Sequence, residues 1–176
     1  MILASHIIVS GLLGATTQNY FLAAVFGLSS HYMLDVIPHW DYLSDEFISK
    51  VKTETGFLKN KRFWRTMLKV AFDILIGLSL LFVIFITTTK NPVPKNIIPI
   101  FIGIFFGVLP DALQLLYWIT KRQSIKWNSD LQHFIHHSIH KKIEQSFRPG
   151  LVIQIATIGI VFLILYKVLN LGMGRN

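Results

Sequence analysis

No cysteine occurs among the 176 residues of the chain. Disulfides and thiolate metal sites are therefore excluded, and any transition metal must be held by His, Asp, Glu or water. Acid is scarce as well: nine Asp and Glu stand against 17 Lys and Arg, and charged residues make up only 15% of the sequence. No internal repeat or low-complexity segment is evident. The start, MILASHIIVSGLLGA, lacks the basic stretch that opens a secretory signal and carries a histidine, so this segment is expected to be retained.

What is present is apolar. Hydrophobic residues make up 52% of the chain and the mean hydropathy is +0.52, a composition that belongs in a bilayer. The formal charge of +8 is then first explained by cytoplasmic loops and anionic lipid headgroups, and no nucleic-acid partner is expected.

Five apolar segments stand out, at about residues 2–15, 20–38, 67–86, 97–119 and 151–171. Crossing a bilayer takes about 20 helical residues. The last three segments qualify, the second is marginal, and the first is short enough to be tilted or re-entrant and sheltered by its neighbours. The expectation is a single all-α integral membrane domain over 1–176, a polytopic helical bundle of four to five membrane segments. Thr16, Thr17, Gln18 and Asn19 supply a polar turn that makes the first two segments an antiparallel hairpin. Six Lys and Arg fall in 39–66 and six in 120–150, so these two loops are expected to be cytoplasmic, the second partly helical, with the N-terminus inside.

That orientation gathers the polar residues. His31, Asp35 and His39 follow one another at four-residue steps, and His31 and Asp35 share one helical face. Pro38 pushes Ile37 away from helical geometry, so His39 and Asp41 are expected to enter from the turn that ends the helix. Ionisable groups within apolar segments need a partner or an aqueous cavity. Asp73 lies four residues after Lys69, so a helical ion pair competes with a role as general base or as the group that fixes a ligating histidine's tautomer; Asp41 is a candidate for the same roles. Asp111 follows Pro110 and is favoured as a ligand or general base. His133, His136, His137 and His140 crowd into DLQHFIHHSIHKK, which reads either as a set of ligands or as a basic amphipathic helix anchored at headgroups by Phe134, Ile135, Ile139 and Ile143. His6 lies at the cytoplasmic start of the first segment. The expected metal set is thus His6, His31, Asp35, His39, Asp111, His133, His136 and His137, holding one or two divalent ions, zinc by preference.

Several of these residues sit in short motifs: Ser5-His6, Ser30-His31-x-x-x-Asp35, Leu109-Pro110-Asp111 and His137-Ser138. Together they resemble the membrane-bound metal-dependent hydrolases of bacterial inner membranes. Here the S-H-x-x-x-D segment precedes L-P-D, reversing that family's order, and Leu113 stands where a second Asp is expected. His31-Tyr32, Asp35, Pro38 and His39 are locally similar to zinc-dependent phospholipase C. The resemblance implies hydrolysis and says little about substrate; a site expected at headgroup level beside basic loops points to a phosphoester in a lipid or lipid-linked substrate met at the cytoplasmic face. Two other classes remain open: a proton- or divalent-cation-coupled transporter, and a non-catalytic protein whose metal pins its helices.

Overall fold

In a computed structural model, the structure describes residues 2–17, 19–37, 39, 59–88, 96–140 and 147–173. Every regular element among them is helical: α1 (Leu3–Ala15), α2 (Tyr20–Asp35), α3 (Lys61–Thr88), α4 (Ile98–Thr120), a 3₁₀ turn (Gln123–Ile125), α5 (Lys126–His140) and α6 (Phe147–Met173). The expected all-α class holds. The third segment begins earlier than its apolar run, because the basic stretch Lys61–Arg65 continues the helix toward its N-terminus.

The polar turn between α1 and α2 works through its side chains. Asn19 Oδ1 accepts from the backbone N–H of Phe21 and Leu22 at 2.9 and 3.2 Å, supplying partners that the first turn of α2 lacks. At the end of α4, Lys121 takes a left-handed conformation, φ 55°, and its N–H closes the helix on the Tyr117 carbonyl at 2.8 Å.

The shortest of the predicted segments is the centre of the molecule. Apart from Ser5, His6 and Ser10, α1 is apolar, and it is almost wholly buried, as so apolar a helix must be. It packs against α2, α3, α4 and α6. Ile7, Ile8 and Leu12 meet Leu81 and Phe85 of α3 and Ile100 of α4 in the main core cluster.

Close approach of α1, α2 and α4 rests on missing side chains. A Cβ on Gly103 would overlap the Ser10 carbonyl, one on Gly27 the Gly103 carbonyl, and one on Gly107 the Ser10 side chain. Gly103 and Gly107 are spaced G-x-x-x-G, and Ser10 and Gly14 of α1 have the same spacing. Small residues four apart let backbones touch in membrane bundles, where water supplies no force between helices. The outer faces are apolar instead: Phe72, Leu75, Ile76, Phe82 and Val83 of α3 and Phe101 and Phe105 of α4 are all exposed. Two helical stretches, Lys61–Thr87 and Ile98–Thr120, are long and apolar enough to cross a membrane. Leu3–Ala15 and Val152–Ile164 are shorter apolar stretches.

Candidate metal centre

One turn of α2 separates His31 from Asp35, and both side chains turn inward. His31 Nε2 lies 3.1 Å from Asp35 Oδ2. The opposite oxygen, Asp35 Oδ1, lies 3.3 Å from Nε2 of His6 on α1. The rings of His6 and His31 stack at 4.3 Å between centroids, 28° from parallel. From α4, Asp111 Oδ1 comes to 3.8 Å from His31 Nε2. His6, His31 and Asp35 are buried, whereas the Asp111 side chain is 26% exposed and marks the side on which solvent reaches the group.

The tautomer of His31 decides what this cluster can do. Its Nδ1 is 2.9 Å from the carbonyl oxygen of Gly107, which can only accept, so Nδ1 carries the proton at that contact. In a neutral imidazole Nε2 is then a lone pair, and it faces a carboxylate oxygen that is also an acceptor. Two acceptors 3.1 Å apart repel unless a cation lies between them, either a proton that makes His31 an imidazolium or a metal ion. An N–H donated to a backbone carbonyl with the other nitrogen left open is the usual arrangement of a ligating histidine. The Gly107 contact depends on the glycine packing, which brings the α4 backbone against α1 and α2.

The spacing suits a metal. Atoms bound tetrahedrally to zinc at about 2.0–2.2 Å stand roughly 3.3–3.6 Å apart, close to the 3.1, 3.3 and 3.8 Å found here. Ligand atoms of His6, His31 and Asp111 all lie within 4.8 Å of one another, a group able to hold a metal ion. His6 Nε2, the nitrogen that faces Asp35, is buried with no hydrogen-bond partner among the described residues, which in a native interior calls for an ion or a water.

Not every predicted residue joins. His133 is exposed on α5, because the helix turns its neighbour inward instead. Gln132 is buried with its Nε2 3.4 Å from His31 Nε2, and its Oε1 has no hydrogen-bond partner among the described residues. Asn128, one turn earlier, sets this register: it donates to the Pro110 carbonyl at 2.8 Å and accepts from the Tyr32 hydroxyl at 3.2 Å. Neither amide is titratable, yet their four-residue spacing on a polar helix is a signal present in the sequence.

Asp73 has a structural task. Its Oδ2 accepts from the Ala4 N–H at 3.2 Å, capping α1, whose own N-cap residue, Ile2, makes no side-chain cap. α2 ends at Asp35 with Val36 as its C-cap, so His39 does leave the helix axis. It is buried, and its Nδ1 donates to the Ile37 carbonyl at 2.7 Å, which gives it the same tautomer as His31. Asp41 and the side chains of His136, His137 and His140 lie outside the described residues.

Compared with protein-family models, curated proteins and solved structures, the chain finds no match. The centre therefore rests on its own geometry.

Proposed function

We propose that the chain is an integral membrane protein of four to five membrane segments that uses a divalent-metal site, zinc as one or two ions, to hydrolyse a phosphoester of a lipid or lipid-linked substrate at the cytoplasmic face of a bacterial inner membrane. The observation that carries this reading is the pair of acceptors, His31 Nε2 and Asp35 Oδ2, 3.1 Å apart while His31 Nδ1 is committed to Gly107. Support for a bilayer comes from the 27 and 23 residues of the two long apolar stretches, which meet the length a crossing needs, and from the exposed aromatic and aliphatic faces of α3 and α4.

His6, His31 and Asp35 would hold the ion, and His39 is kept in the set on its four-residue step from Asp35. A bound divalent ion lowers the pKa of its water toward about 7 and so supplies hydroxide near neutral pH. Asp111, the member that meets solvent, orients the entering water and takes up its proton. Buried Asp35 and the stacked imidazoles keep bulk water from the inner side. The motif resemblance to membrane-bound metal-dependent hydrolases, with its local likeness to zinc-dependent phospholipase C, favours hydrolysis over transport.

A second reading, a metal clamp without turnover, is favoured by one feature: His6, His31 and Asp35 are almost completely buried, and with Asp111 they join three helices. Metal content of purified wild type, His31→Ala and Asp35→Ala, followed by assays on lipid phosphoesters, separates the two. Hydrolysis requires stoichiometric metal in wild type, its loss in both variants, and activity that follows the metal. Wild type without metal overturns both readings, and metal without turnover on any lipid phosphoester leaves the clamp.

A further inference from the structure

α5 is not amphipathic in the ordinary two-faced sense. Successive residues of a helix advance by about 100°, and on that wheel its described residues fall into three stripes. Asn128, Gln132 and Ile135 are buried against the rest of the protein. Trp127, Leu131 and Phe134 form an apolar stripe that is 58%, 37% and 64% exposed. Lys126, Asp130 and His133 form an exposed polar stripe. A helix with protein on one side, and with exposed apolar and polar stripes on the others, fits where lipid and water meet.

Its height is fixed by its contacts. α5 begins after the end of α4 but folds back along it, since Asn128 donates to the carbonyl of Pro110, about 15 Å of helix before Thr120. One turn later Gln132 stands beside His31. The apolar stripe therefore needs lipid, and the polar stripe needs water, at the level of the His/Asp group.

We infer that an anionic lipid leaflet covers the apolar stripe of α5, with Trp127, Leu131 and Phe134 turned to its acyl chains and the polar stripe lining water beside the His/Asp group. The inference rests on the membrane reading above and not on the metal. Two further features select this occupant. α4 likewise exposes apolar side chains, Phe101 and Phe105. Lys121, Arg122 and Lys126 crowd the start of α5 against a single acid, Asp130, whose 4.0 Å pairing with Lys126 is open to solvent. Basic residues beside an apolar stripe are what an anionic surface attracts. A substrate phosphoester in that leaflet would meet Asp111 without leaving the bilayer.

The absence of cysteine makes the test direct, because each introduced cysteine carries the only nitroxide label. Single-cysteine variants at Leu131, Phe134, Asp130 and, as a membrane control, Phe105 are placed in nanodiscs of phosphatidylglycerol or phosphatidylcholine. Collision with dissolved oxygen is compared with collision with a water-soluble nickel chelate. The expected result is an oxygen-to-nickel ratio several-fold higher at Leu131→Cys and Phe134→Cys than at Asp130→Cys, and highest at Phe105→Cys. The ratio at 131 and 134 should rise in phosphatidylglycerol, and replacing Lys121, Arg122 and Lys126 by Gln should remove that rise. Labels at 131 and 134 as open to nickel as Asp130→Cys overturn the inference while leaving the membrane reading intact, provided Phe105→Cys stays lipid-like. Shielding of 131 and 134 from both reagents means a protein surface covers the stripe, which also overturns it. Nickel access at Phe105→Cys defeats the membrane reading and this inference with it.

Discussion

Replacing Asp35 by Asn keeps the shape of the side chain and exchanges one acceptor oxygen for a donor. In the metal-free protein the new amide can donate to the Nε2 lone pair of His31, 3.1 Å from the present carboxylate oxygen, so the acceptor clash is relieved and the fold should hold. With metal the change is adverse, because a charged ligand is lost. Loss of groups that merely orient a ligand lowers metal affinity by roughly 10–100-fold, so about 100-fold is a conservative figure for Asp35→Asn. At zinc set to 100 times the wild-type Kd, binding stabilises wild type by about 2.7 kcal/mol and the variant, now at its own Kd, by about 0.4 kcal/mol. The difference of about 2.3 kcal/mol corresponds to a Tm gap of roughly 5–9 °C for a chain of this size. Thermal unfolding in detergent, with chelator and with zinc, should show the two proteins close together without metal and separated by that gap with it. An equal zinc-induced shift in both proteins, or none in wild type, would refute the assignment of Asp35 as a ligand.

Three further expectations concern neighbouring parts. Gly103→Val must push α1 and α4 apart, because the obstruction is the Ser10 backbone; it should cost about 1–3 kcal/mol, whereas Gly159→Ala, with nothing within 4 Å, should be close to neutral in chemical denaturation. Gln132→Leu should weaken zinc binding in chelator competition by roughly 10–100-fold and His133→Ala should not, and the reverse order would mean that the register of α5 is misassigned. Asp73→Ala should lower stability by about 1 kcal/mol, the usual cost of a lost helix cap, with metal content unchanged; loss of metal would move Asp73 into the site.

Local spacing made part of the centre legible. His31 and Asp35 lie four apart in an apolar run, and four residues on a helix is one face, so their pairing needed no tertiary information. His6 and Asp111 were reachable through the count of Lys and Arg in the loops, which put them on one side of the bundle with α2. The register of α5 was not legible, since a polar helix rich in histidine offers several faces and the choice is made by Asn128, whose partners Tyr32 and Pro110 are distant in sequence. Asp73 sat four residues from a lysine, yet its carboxylate reaches Ala4, 69 positions away. The run Phe101–Gly107 is apolar throughout, and its glycines acquire meaning only when α1 lies against them. For the same reason a segment too short to be a confident span proved to be the enclosed centre of the fold.

Gly107 joins two properties that are usually separate. The absence of its side chain admits Ser10 of α1, and its carbonyl fixes the tautomer of His31. The centre is therefore not portable. Were helices packed at the ordinary interaxial distance of about 8–10 Å to carry His6, His31, Asp35 and Asp111 in the same order, the 107 carbonyl would be out of reach and the His31 ring free to turn over and present its N–H where a lone pair is needed. Transplanting the centre into another bundle would require moving the glycine contact first and the four side chains second.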